Sequence, residues 1–140
     1  MGRLGERQPE IYGIQGLDTL PAKLAAVMGE EFKEVDFSYY HSNHEGYIID
    51  RLEEAYDAGV DGIIINAGAF THTSLALADC LAWLKIPFVE VHLSNTQARP
   101  EKVRHKSFIA PYAEGVIAGF GLTGYGLAAK ALLQIVKSKQ

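Results

Sequence analysis

Short apolar runs alternate along this chain with longer segments in which apolar residues return every third or fourth position. The short runs are 62–67 (Gly-Ile-Ile-Ile-Asn-Ala), 87–92 (Pro-Phe-Val-Glu-Val-His), 115–119 and the more mixed 33–40. Their length, β-branched content and Gly, Pro or polar boundaries predict strands. The near-continuous apolarity of 62–67 and 115–119 predicts strands covered by helices on both faces, as in a parallel sheet. Among the longer segments, Ile48, Ile49, Leu52, Ala55 and Tyr56 place one apolar stripe on a helix, which Gly59 is placed to end. Leu75, Leu77, Leu81 and Leu84 mark a second, entered through Thr71-His72-Thr73-Ser74 with its capping hydroxyls. Ala128, Ala131, Leu132, Ile135 and Val136 mark the last. A first helix is expected over about 18–28, with Pro21 tolerated in its opening turn. Such alternation predicts a single α/β domain over 1–140 with a parallel sheet.

Composition narrows this picture. The 140 residues, 48% hydrophobic and 21% charged, suffice for one globular domain that buries roughly two thirds of its unfolded surface. The single cysteine, Cys80, excludes an intrachain disulfide and fits a reducing compartment. A formal charge of -4 and a pI near 5.7, without a basic run, argue against nucleic acid or an anionic membrane as partner. The N-terminus has no apolar signal region, so a cytoplasmic protein is expected. Residues 116–136 carry one charge, Lys130, and approach the length of a membrane span. Gly119, Gly121, Gly124 and Gly126 interrupt them, and a strand, a turn and an amphipathic helix are expected instead.

Ligands of open α/β sheets collect beyond the carboxyl ends of the strands. Two such ends are polar here: 62–65 runs into Asn66-Ala67-Gly68-Ala69-Phe70-Thr71-His72-Thr73-Ser74, and 87–91 ends in His92-Leu93-Ser94-Asn95. Neighbouring parallel strands would bring Asn66, His72, His92 and Ser94 to one rim. Glu90, two residues before His92, points to the same face and is placed to orient the imidazole, unless it is a buried acid paired elsewhere. The stretch 94–110 carries Arg99, Lys102, Arg104, His105 and Lys106, and reads either as a lid over an anion or, taken alone, as a solvated loop. Near the start, Arg7 and Tyr12 have the composition of a polar loop; a guanidinium beside a phenol can also favour the phenolate. His41 and His44 lack a further ligand at recognisable spacing, so no metal is expected there. Cys80, among Leu77, Leu81 and Leu84, is expected to pack rather than react. The G-x-G-x-x-G match at 119–124 is a weak sign of a dinucleotide site, because the chain ends before that fold could be completed.

Four segments together resemble one known family, the type II 3-dehydroquinate dehydratases. They are Arg3-Leu4-Gly5-Glu6-Arg7-Gln8-Pro9-Glu10-Ile11-Tyr12-Gly13, Ser42-Asn43-His44-Glu45-Gly46, Asn66 to Ser74 as written above, and Glu90-Val91-His92-Leu93-Ser94-Asn95. The resemblance extends over essentially the whole chain. It implies a flavodoxin-like three-layer αβα fold with strand order 2-1-3-4-5, and anti elimination of water from 3-dehydroquinate to give 3-dehydroshikimate through an enolate. It implies no cofactor and no metal. Tyr12 would remove the C2 proton as phenolate, aided by Arg7; His92 would protonate the departing C1 hydroxyl, oriented by Glu90. Asn66 and the backbone amides of Leu93 and Ser94 would cradle the substrate carboxylate and hydroxyl, and His72 and Arg104 would contact ring hydroxyls. Asp79 matches a residue that reaches a neighbouring subunit's site. The family assembles as trimers, commonly four of them in a dodecamer, and serves the shikimate pathway or quinate breakdown.

Two departures stand out. The family's first apolar strand and its asparagine-bearing turn would precede Met1, so the native chain is expected to carry an additional N-terminal strand. Between Arg99 and Arg104 the chain is one residue longer than the commonest spacing; Arg104 is assigned to the substrate by the order of the residues after it, with Arg99 as the alternative. A different class of function also remains open: an impaired oligomeric homologue that binds a quinate-like acid without turnover. A nucleotide-binding flavodoxin-like domain is a third.

Overall fold

The computed structural model describes residues 17–139. Among these, β1 (Ile63–Ile65), β2 (Phe88–His92) and β3 (Gly115–Ala118) form one sheet in that order. Both pairings are parallel, with Ile65 opposite Glu90 and Glu90 opposite Val116. β2 is therefore hydrogen-bonded on both sides, and all five of its residues are buried.

The helices among the described residues are α1 (Leu20–Met28), α2 (Glu45–Asp57), α3 (Leu75–Leu84) and α4 (Thr123–Ser138). Pro21 sits in the first turn of α1, where its missing N–H costs nothing. Ser74 caps α3, its Oγ accepting from Leu77 N at 2.9 Å. After α2, Gly59 takes the left-handed conformation (φ 72°) that closes the helix end.

Alternate side chains of β2 feed two cores. Phe88 joins Ile65, Leu52 of α2 and Leu77, Leu81 and Leu84 of α3 on one face. Val89 and Val91 join Ala128 and Leu132 of α4 on the other, where α1 lays Leu24 and Met28 against Ala129. Each large apolar side chain buried this completely contributes about 1.5–3 kcal/mol. The result is a three-layer αβα arrangement of the flavodoxin-like kind. Because Glu90 and His92 share the parity of Phe88, they fall on the α2 and α3 side.

One predicted strand is corrected. Residues 33–40 begin inside a 3-10 turn, Gly29–Glu34, and continue as extended backbone from Val35 (φ -123°, ψ 132°) without joining the sheet. Their alternation is real: Val35 and Phe37 pack on the Leu24 and Met28 cluster, and Phe37 stacks between Phe32 and Tyr39. An extended segment becomes a strand only beside a partner ladder, and none of the described strands pairs with it. Of the expected order 2-1-3-4-5, the described sheet is the 3-4-5 part. Expectations about Arg7, Tyr12 and an N-terminal strand lie outside the described residues. Residues 116–136 form β3, a turn and α4 as expected, and no helix among the described residues is long and apolar enough to cross a membrane.

Candidate active site

β1 and β2 run parallel, so Asn66 and His92 emerge at the same edge of the sheet. A cavity of about 260 Å³ opens there. Asn66, His72, His92, Leu93 and Ser94 all line it, as the strand-end argument requires, together with Arg99 and Arg104 from the loop after β2. Ser42 and Asn43, just before α2, also line it; the strand-end argument did not reach them.

Glu90 is 2% exposed, a position that a carboxylate tolerates only when its oxygens are hydrogen-bonded. Both are. Oε2 lies 2.6 Å from His92 Nε2, and Oε1 accepts from Ser107 Oγ at 2.6 Å. His92 is itself only 6% exposed and lines the cavity. With Nε2 committed to Glu90, Nδ1 is the ring nitrogen without a hydrogen bond among the described residues. His72 stacks on His92, ring centroids 6.0 Å apart and planes 18° from parallel. Its Nδ1 is bonded to the carbonyl of Lys106 and so must carry the proton, since a carbonyl only accepts.

Asn66 is held at both ends of its amide. Its Oδ1 accepts from Gly68 N at 3.1 Å, and its Nδ2 donates to the Tyr125 hydroxyl at 3.1 Å. Among the described residues, one Nδ2 proton is left for a ligand. Burial pushes the Tyr125 phenol up, opposed in part by the bond from Asn66, so it stays neutral. Tyr125, on α4 behind the sheet end, carried no mark in the sequence as part of this site.

The loop over the cavity turns on Glu101. Its carboxylate lies 3.8 Å from Arg99 Nε and 3.6 Å from Arg104 Nε. Its own backbone hydrogen bond, followed by the two guanidinium charges, holds it below the usual carboxylate range. Both arginines line the cavity, their two positive charges offset in part by Glu101, so at these two positions the loop is part of the cavity wall and not only a solvated surface. Arg99 has the more buried side chain, at 13% exposed against 29% for Arg104.

The remaining expected residues fall elsewhere. Asp79 is on the exposed face of α3, away from the cavity, on the same stripe as Leu75 and Trp83. Cys80 packs against the α2 and α3 core, and burial, aided by the Glu53 charge, pushes its thiol up, away from the thiolate form that a nucleophile needs.

Comparison with known proteins bears on this geometry. A family model described as "Dehydroquinase class II" matches residues 1–133. The chain is 49% identical over 130 residues to the 3-dehydroquinate dehydratase of Polynucleobacter asymbioticus, covering 93% of this chain and 85% of that protein. The type II dehydroquinase of Butyrivibrio crossotus superposes with a TM-score of 0.85 at 43% identity, covering 93% of this chain and 88% of that one. That of Propionibacterium acnes gives 0.82 at 37% identity, with 97% and 89% covered.

Proposed function

The chain belongs to the class II dehydroquinases, and from that premise we propose that it is a hydro-lyase converting 3-dehydroquinate to 3-dehydroshikimate. The observation that carries the reading is the buried Glu90–His92 pair opening into a cavity with a cationic wall. 3-Dehydroquinate is a hydroxylated ring acid. Its carboxylate suits amide donors and arginines, and its C1 hydroxyl leaves only with a proton.

In this mechanism Tyr12, as phenolate beside Arg7, takes the C2 proton, and the electron pair is held as an enolate on the ring ketone. The C1–O bond then breaks as His92 gives a proton to the departing oxygen, so that water leaves. Glu90 orients the imidazole and balances its charge. Asn66 and the amides of Leu93 and Ser94 receive the carboxylate and a hydroxyl; His72 and Arg104 meet the ring hydroxyls. No step needs a metal or a redox cofactor. The protein works in the cytoplasm, in aromatic biosynthesis or quinate breakdown, as a trimer-based assembly in which Asp79 approaches a neighbour's cavity.

The test is the rise in ultraviolet absorbance as the conjugated enone forms from 3-dehydroquinate. The parent turns over, and Y12F loses about a hundredfold or more of kcat, in line with removal of a positioned base. Near-normal turnover by Y12F would end this mechanism. Tight binding of the acid by an assembled, inert parent would replace the enzyme with a binding protein.

A further inference from the structure

Ser107 lies late in the loop that follows β2, outside the residues assigned above to substrate. Its Oγ has three partners: it accepts from Ile109 N at 3.2 Å and from Ala110 N at 2.9 Å, and it sits 2.6 Å from Glu90 Oε1. A hydroxyl has one proton and two lone pairs. The two amides can only donate, so they take the lone pairs and the proton is directed at Glu90. The loop backbone thereby converts a freely rotating hydroxyl into a fixed donor. Glu90 Oε1 is in turn a fixed acceptor, which leaves Oε2 as the oxygen that meets His92 Nε2 at 2.6 Å.

We infer that Ser107 is a positioning residue for the acid step, setting the plane of the Glu90 carboxylate and, through it, the His92 ring. With the carboxylate held, Nε2 carries its proton toward Glu90 and Nδ1 is the nitrogen turned to the substrate. A carboxylate free to rotate would hold the ring less well, and loss of about 1 Å in placement can cost on the order of a hundredfold in rate. The inference rests on the proposed dehydration and adds to it the group that holds the proton donor in line. A simpler role for Ser107 would be to tie down the turn Ala110–Tyr112, and the two roles differ in what they leave behind.

The experiment uses the full chain in its native assembly, comparing the parent with S107A and S107T. In S107A, kcat for 3-dehydroquinate is expected to fall roughly tenfold to a hundredfold with KM within about twofold. S107T, which keeps the hydroxyl, restores most of it. An S107A enzyme that melts earlier but keeps the parent kcat would reduce Ser107 to the turn and overturn the inference. Equal losses in S107A and S107T would do the same. The nitrogen-15 signals of His92 give a reading that needs no variant: in the parent, Nε2 is protonated whether the ring is neutral or charged. A bare Nε2 with protonated Nδ1 overturns the inference. Should the parent prove inactive while S107A still scrambles the His92 signals, the dehydration reading fails and the positioning role stands.

Discussion

At the scale of single residues, the site is made by groups with few alternatives open to them. Asn66 spends its carbonyl on Gly68 and one amide proton on Tyr125, so the remaining proton has a fixed direction. Y125F leaves Nδ2 without that partner, and KM should rise severalfold, measured by steady-state turnover. The same phenol gives a pH test. Its proton is held more tightly in the folded chain than in the unfolded one, so its contribution to stability is intact below about pH 10 and is lost as pH rises through the raised folded value. Melting temperatures taken from pH 9 to 11 should fall more steeply for the parent than for Y125F. For the arginines, R104A is expected to raise KM about tenfold or more and R99A to do less; the reverse order gives the substrate contact to Arg99. The sequence made Asn66, Glu90 and His92 legible because strand ends and parity are local patterns. Ser107 and Tyr125 were not legible, because their partners stand 17 and 59 positions away and only the folded chain brings them together.

Among elements, the close approach of α1 and α4 depends on a missing side chain. A Cβ on Gly126 would meet Val27 Cβ at 2.5 Å and Cγ1 at 2.6 Å, contacts that a branched side chain near its own backbone cannot relieve. G126A should therefore destabilise the fold by about 1–3 kcal/mol, although alanine favours a helix, because overpacking outweighs propensity. Adding V27A should recover much of that loss in denaturant melts. The three described strands and the helices α2, α3 and α4 followed from hydrophobic pattern, within about five residues at each end. The exception, 33–40, shows the limit of period: Val35, Phe37 and Tyr39 alternate as a strand would, but the ladder depends on a neighbour that the segment itself does not encode.

For the whole molecule, α3 sets Leu75 (63% exposed) and Trp83 (64% exposed) outward on the stripe that bears Asp79, with Tyr56 against Trp83 at 5.1 Å. Apolar groups at this spacing suit burial against a second copy, which would also bring Asp79 to a neighbour. Light scattering should return a multiple of three chains, and W83D should lower the mass; a monomeric parent would remove the assembly from the proposal. At this scale the central position of β2 has a further consequence, in time rather than in space. Amides of a strand paired on both sides exchange with deuterium only when the whole domain opens, whereas a loop of short turns opens locally and often. The cavity thus has two clocks: the Glu90 and His92 amides should hold their protons for as long as the fold lasts, and those at Arg99 and Arg104 should exchange far sooner. On this expectation His92 is as durable as the core, while the loop bearing Arg99 and Arg104 opens many times within that lifetime.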